Sequence, residues 1–180
     1  MSNRLVKIIA TFFYVGYLPL IPGTFGSVAA LLLFLILPEL MALVIGNQTI
    51  AFWLMVLALG NQTIAFWLIV QCAFLAVFMF LGFYFSGKAE KLFNSKDPKY
   101  IVIDEVGGMF LTFLFVPLDF RLLLIGFLLF RVLDIVKPYP ADKLQNFPGS
   151  AGIMLDDIVA GIYANVILQV LSRVILRIPA

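Results

Sequence analysis

The sequence contains no histidine, a single cysteine and few charged residues. Without histidine there is no Ser-His-Asp triad, no phosphohistidine chemistry and none of the usual histidine-bearing zinc sites. Because Cys72 stands alone, no disulfide can form within the chain. Any metal must then be held by oxygen ligands, which favours Mg²⁺ or a similarly hard cation.

The low charge content comes with a large excess of apolar residues. Charged residues make up 12% of the chain, hydrophobic residues make up 63%, and the mean hydropathy is +1.11. Soluble domains average about 25% charged and about 45–50% apolar residues. We therefore expect lipid to be the main solvent, and lipid favours helices. The 180 residues suit one domain, so we predict a single all-α domain over residues 1–180, a membrane-embedded bundle of about six helices. The net charge of +2 predicts no nucleic-acid partner.

The apolar runs and turn residues predict the following organisation. Residues 8–21 are apolar but short for a span, so we expect an interfacial or re-entrant helix there. Residues 22–27 are interpreted as a loop, with Ser27 capping a helix that stops or kinks at Pro38 before continuing to Ile45. Residues 106–118 and 122–130 are interpreted as a short helical hairpin, and the last helix is expected to open at Asp156 and to cross the membrane.

The long central apolar region contains an internal repeat. Nine residues at 46–54 (GNQTIAFWL) recur unchanged at 60–68, a period of about four helical turns. Since repeat folds need at least about three units, we interpret this as a local duplication within one domain.

Clusters of positive charge predict the orientation in the membrane. Arg4 and Lys7 lie near the N-terminus, and four lysines lie in the main polar segment, residues 86–100. Cytoplasmic segments carry an excess of Lys and Arg, so both regions are predicted to lie on the cytoplasmic side, separated by two crossings.

Three short polar patches interrupt the apolar sequence and hold five of its ten acidic residues. They are Asp104-Glu105, the stripe of Arg131, Asp134 and Lys137 at i, i+3 and i+6, and Asp156-Asp157. Ionised groups beside lipid are costly and indicate a site. Clustered carboxylates with a few cations are typical of a place where a divalent metal meets a phosphate.

Each patch also has a purely structural interpretation. Acids suit a helix start, the stripe can be an intrahelical salt-bridge ladder, and an aspartate can cap a helix. The corner at residues 22–27, which includes Thr24, can receive a phosphate or be an ordinary turn. The residues alone therefore leave a catalytic site, an ion path of a small transporter and a structural membrane protein open.

Four sequence blocks together resemble the phosphatidylglycerophosphatase A family: PGTFGS at 22–27, IDEVGG at 103–108, FRVLDIVKPYP at 130–140 and MLDDIVAG at 154–161. The resemblance covers most of the chain from Leu18 to about Asn165. The stretch from residue 37 to 85, which holds the repeat, is longer than we expect for the family.

The resemblance implies Mg²⁺-dependent hydrolysis of phosphatidylglycerophosphate to phosphatidylglycerol and phosphate at the bacterial inner membrane, by a multi-pass protein with its site on the cytoplasmic side. A phosphatase for another phospholipid monoester remains the nearest alternative, and the oligomeric state stays open. Five acids are predicted to bind the metal and carry out catalysis: Asp104, Glu105, Asp134, Asp156 and Asp157. Three residues are predicted to bind the phosphate: Thr24, Arg131 and Lys137.

Overall fold

The computed structural model describes residues 2–45, 61–117 and 119–175, and within them every regular element is helical. This confirms the predicted all-α class. The first copy of the repeat and residue 60 lie outside the described residues, while residues 61–68 belong to a helix. The helices are α1 (Asn3–Ala10), α2 (Pro22–Ile45), α3 (Asn61–Phe93), α4 (Ile103–Thr112), α5 (Phe120–Val136), α6 (Ala141–Leu144) and α7 (Ser150–Val170), which continues as a wider turn over Leu171–Ile175.

Helix α4 lies at the centre of the molecule and packs on α2, α3, α5 and α7. Its contact with α7 is close because glycines face each other. A Cβ on Gly161 would lie 2.5 Å from the Gly108 carbonyl oxygen, and a Cβ on Gly108 would lie 2.8 Å from the Asp157 carbonyl oxygen. Helices that approach this closely cannot carry side chains at the contact, so these two glycines determine how close α7 lies to α4.

Helix α4 can end inside the protein because side-chain amides on α7 cap its C-terminus. Asn165 Nδ2 donates to the carbonyl oxygens of Thr112 and Leu114, at 3.0 and 2.8 Å. Gln169 Nε2 donates to those of Leu114 and Phe115. The last carbonyl groups of a helix lack intrahelical donors, so these side chains replace water at a buried helix end.

Two helical segments within the described residues, Gln71–Phe93 and Ser150–Val174, are long and apolar enough to cross a membrane. Large apolar side chains also line the outer face of α5, where Leu124, Leu128 and Val132 are each at least half exposed. They recur every four residues and so form one stripe. An apolar stripe of this kind suits contact with lipid.

Two predicted helix boundaries are wrong. Helix α2 begins at Pro22, so the predicted loop at 22–27 is its first turns, and Ser27 lies inside it with Oγ donating to the Gly23 carbonyl oxygen. Proline suits the first helical position because the amide it lacks would have no partner there. Helix α2 continues through Pro38 to Ile45. Helix α7 opens at Ser150, so Asp156 does not cap it but lies about 9 Å along it.

The predicted helix over residues 8–21 is also wrong. Helix α1 ends at Ala10, and Phe12, Phe13 and Tyr14 adopt left-handed conformations with φ of 44°, 55° and 69°. Thr11 supports the turn, since Oγ1 donates to the Lys7 carbonyl oxygen and accepts from the Tyr14 amide. A run of left-handed residues cannot continue a right-handed helix.

Candidate active site

One cavity of about 280 Å³ collects side chains from α2, α4, α5, α7 and the loop between α3 and α4. All eight predicted site residues line it, although they come from four separate parts of the sequence. The lining consists of Ile21, Pro22, Gly23, Thr24, Asp97, Lys99, Ile101, Asp104, Glu105, Arg131, Asp134, Lys137, Asp156 and Asp157.

Three carboxylates meet at one point of the cavity. Asp104 and Glu105 come from the first turn of α4 and Asp157 comes from α7, and one oxygen of each lies within 4.8 Å of the other two. Asp104 and Asp157 are only 7% and 3% exposed. Asp104 Oδ1 and Glu105 Oε2 are buried and have no hydrogen-bond partner among the described residues. Unpartnered buried carboxylate oxygens are costly, and a hard cation is the ligand that this donor set fits.

The electrostatics of the first α4 turn lead to the same conclusion. Helix α4 has ten residues and lies outside the two segments that could span a membrane. Burial raises the pKa of Glu105 to about 7. Burial, and next the charge of Glu105, raise the pKa of Asp104 well above its ordinary value. In the absence of a cation, the pair therefore tends to hold protons near neutral pH.

The other two predicted metal ligands are engaged by cations. Asp134 Oδ2 accepts from Arg131 Nη1 at 2.6 Å, and Asp156 Oδ2 accepts from Lys137 Nζ. The structure therefore divides the predicted five-acid metal set into a cluster of three and two ion-paired aspartates. Asp156 Oδ1 remains buried without a partner in the part of the chain that the structure describes.

The charged stripe on α5 is only partly the ladder that its spacing suggests. Arg131 and Asp134 form the expected i, i+3 pair. Lys137, however, terminates α5 in a left-handed conformation with φ of 48°, and its side chain reaches across to Asp156 on α7. Because α5 ends in this conformation, Lys137 links α5 to α7 instead of extending the ion pairs along α5.

The N-terminus of α2 closes another side of the cavity. Gly23 and Thr24 lie in its first turn, where backbone amides have no intrahelical acceptor and favour anions. A Cβ on Gly23 would lie 2.1 Å from Glu105 Oε1 and 3.5 Å from Arg131 Nη1. Glycine is therefore required for α2 to approach Glu105 this closely.

Sequence reasoning missed Asp97 and Lys99, which line the cavity from the α3–α4 loop. The sequence of this segment is typical of a turn and contains several lysines, and neither property indicates a site. Burial, and next the charge of Asp156, raise the pKa of Asp97. The loop is placed beside the cavity by the tertiary fold, through contacts such as Tyr100 on Gly16 and Tyr17.

The fold and the site together define a class. Every regular element in the described residues is a helix, and two of the helical segments are long enough to cross a membrane. Together with a cavity that combines clustered carboxylates with guanidinium and ammonium groups, this is the makeup of a membrane-associated phosphatase.

The comparison with known proteins makes the assignment specific. The family model described as phosphatidylglycerophosphatase A matches residues 8–172. The chain belongs to the phosphatidylglycerophosphatase A family, which confirms the resemblance seen in the sequence. No solved structure matches the chain significantly.

Three curated relatives match almost the whole chain. A protein of Bacteroides thetaiotaomicron named "Putative phosphatidylinositol-3-phosphatase" is 31% identical over 93% of this chain and 94% of its own length. Phosphatidylglycerophosphatase A of Escherichia coli K12 is 32% identical over 96% of this chain and 86% of its own length. Phosphatidylglycerophosphatase A of Haemophilus influenzae is 32% identical over 90% of this chain and 85% of its own length.

Proposed function

We propose that this protein hydrolyses phosphatidylglycerophosphate to phosphatidylglycerol and phosphate in phospholipid biosynthesis, with the help of Mg²⁺. The observation that carries the proposal is the cavity itself, in a chain of this family: three carboxylates meet beside two cations that can bind a phosphate. Its volume of about 280 Å³ is near the lower end of ligand pockets, roughly 300–1,000 Å³. The cavity thus suits a head group, while the acyl chains lie against the apolar outer faces of the helices.

The charge of the cavity supports a metal cofactor. Six acidic and three basic side chains line it, and such an excess of carboxylates repels a phosphate dianion. Asp104, Glu105 and Asp157 would hold Mg²⁺, since one oxygen of each converges on one point. Asp104 Oδ1 and Glu105 Oε2 are also buried without a partner among the described residues. When bound, the ion polarises the phosphoryl group and lowers the pKa of a coordinated water.

The basic residues would position the phosphate that is removed. The Arg131 guanidinium has five N–H donors and the Lys137 ammonium has three, and the contacts to Asp134 and Asp156 leave donors free for phosphate oxygens. Thr24 and the first amides of α2 offer further donors. The two ion-paired aspartates hold both cations in place, and the attacker is either water or one of the aspartates.

We further propose a multi-pass protein of the bacterial inner membrane, with the cavity open to the cytoplasm. The lysine-rich α3–α4 loop supplies Lys99 to the cavity lining. The ammonium of Lys7 lies 5.9 Å from the centre of the Phe93 ring, so the basic N-terminus is on the same side. Positive residues favour the cytoplasmic side, and the cavity follows their orientation.

The second candidate is a phosphatase for a phosphorylated phosphatidylinositol. It is favoured by the Bacteroides relative, which matches 93% of this chain and carries that name. Both lipids present a terminal phosphomonoester on a polyol that a phosphodiester joins to the lipid. The interior of the cavity serves either, so the two are separated by assay with each lipid.

The test is phosphate release from phosphatidylglycerophosphate in detergent micelles, with Mg²⁺ and with a chelator. We expect release with Mg²⁺ and none with chelator, and Asp104→Asn, Asp134→Asn and Asp157→Asn to lower it by several orders of magnitude, as loss of a catalytic group does, while the variants still fold. An absence of release under both conditions excludes the proposed function. Full activity in the asparagine variants would favour a merely structural role for the acids.

A further inference from the structure

Lys99 differs from the other two basic residues of the cavity lining. Arg131 and Lys137 each contact a carboxylate. Within residues 2–45, 61–117 and 119–175, no carboxylate oxygen lies within 4.0 Å of the Lys99 ammonium. Its one aromatic contact is distant, at 5.7 Å from the centre of the Tyr100 ring. Lys99 is therefore the lining cation without an ion-pair partner in the part of the chain that the structure describes.

The backbone around Lys99 is held firmly in position. Pro98 before it is buried, and the ring of Tyr100 after it stacks on Tyr17 with centroids 5.1 Å apart. The Tyr100 carbonyl group also packs on Gly16, where a Cβ would lie only 2.0 Å from its oxygen. Both neighbours of Lys99 therefore pack against the protein, which favours a defined position for its backbone.

Position within the cavity distinguishes Lys99 from the groups around the metal cluster. Arg131 and Lys137 lie on α5 beside the paired aspartates. Lys99 is exposed and comes from the loop, so it borders the cavity where it opens. A head group that enters with its terminal phosphate towards the carboxylates places the rest of its polar part near this residue.

We propose that Lys99 binds the phosphodiester of the substrate, the second phosphate that links the head group to the lipid. This inference rests on the proposed function, since it concerns the same cavity. The site then binds two phosphates. The interior binds the monoester that is removed, and Lys99 binds the diester that remains in the product. Lipids with both groups would be preferred over phosphatidic acid, which has only the monoester.

Inhibition of phosphatidylglycerophosphate hydrolysis in mixed micelles tests the proposal. Phosphatidylglycerol carries only the diester, and inorganic phosphate represents only the group that is removed. Lys96→Gln is the matched control, because Lys96 is an exposed lysine of the same loop that does not line the cavity. Lys99→Arg keeps the charge.

We expect Lys99→Gln to raise the inhibition constant of phosphatidylglycerol about tenfold to hundredfold, the effect of losing one hydrogen bond between charged groups. The inhibition constant of inorganic phosphate should change by less than about twofold, and KM for the lipid should rise while kcat is kept. Lys96→Gln should match the wild type, and Lys99→Arg should retain most of the affinity for phosphatidylglycerol.

Two results would overturn the proposal while the wild type remains active. Lys99→Gln could behave like Lys96→Gln, which would mean that Lys99 binds nothing, or it could weaken both inhibitors equally, which would place Lys99 on the phosphate that is removed. If instead the wild type releases no phosphate from the lipid, the proposed function itself is wrong, and the assignment of Lys99 falls with it.

Discussion

Replacing Gly23 by alanine is expected to disable the site without weakening the fold. The new Cβ would lie 2.1 Å from Glu105 Oε1. Ordinary contact begins at 3.4 Å, so this oxygen must retreat by about 1.3 Å. Glu105 is the mobile end of a long side chain and can move at little cost. Glu105 belongs to the three-carboxylate cluster, so moving its carboxylate disturbs that cluster.

The consequences for stability and activity therefore differ in direction. Alanine is favoured over glycine in helices by up to about 1 kcal/mol, so we expect the unfolding temperature to stay constant or rise slightly. A displacement of about 1 Å in a catalytic group can cost about 100-fold in rate. Phosphate release should fall by about that factor, and the Mg²⁺ concentration for half-maximal rate should increase.

Two other glycines provide matched comparisons. A Cβ on Gly107 would meet the flexible end of Met79 at 3.2 Å, so Gly107→Ala should alter activity by less than about twofold, because methionine side chains adapt. A Cβ on Gly161 would meet the Gly108 backbone oxygen at 2.5 Å, so Gly161→Ala should destabilise the protein by about 1–3 kcal/mol through overpacking. A folded Gly23→Ala variant with wild-type rate and Mg²⁺ requirement would refute the assignment of Glu105 to the metal cluster.

Two further outcomes follow from the structure. In chelator, the free energy of unfolding should decline as pH rises from about 4.5 to about 7. The reason is that the raised pKa of Glu105 lets the folded state keep a proton that the unfolded state has released. Thermal unfolding from pH 4 to 8 checks this, and an equal slope in Glu105→Gln would contradict it. Asn165→Leu removes both hydrogen bonds to the end of α4 and should cost roughly 1–3 kcal/mol with phosphate release per folded molecule near wild type; a stable but inactive variant would instead assign Asn165 to the site.

The residues that meet at the cavity could be selected from the sequence because charged groups beside apolar segments cost free energy. Ionised groups next to apolar runs need a compensating reason, and in this chain such groups are few enough to stand out. All eight predicted residues line the cavity. The roles within the set were not readable. Lys137 pairs with Asp156 rather than Asp134 because it ends α5 in a left-handed conformation, a property that its spacing from Arg131 does not indicate.

The helix boundaries were predicted less well, for physical reasons. Pro22 and Gly23 are turn residues in most contexts, but proline also begins helices, and this glycine is required by its contact with Glu105. The left-handed residues after α1 carry aromatic side chains, which have no preference for this conformation, so the local sequence does not predict the turn. Gly16, pressed against Tyr100, shows that long-range packing supports this segment.

The division between a buried cluster and an exposed loop bears on how the family distinguishes substrates. The proposed function requires the interior of the cavity to bind a phosphate and its leaving oxygen, features that all phospholipid monoesters share. Relatives of nearly equal identity to this chain are named for two different lipids, so selection between head groups must act where those head groups differ, beyond the phosphate that is removed. In this structure Asp97 and Lys99 are the charged lining residues that come from the α3–α4 loop. Their loop lies outside the four sequence blocks that carry the resemblance to the family, so we expect head-group selection to depend on this loop rather than on those blocks.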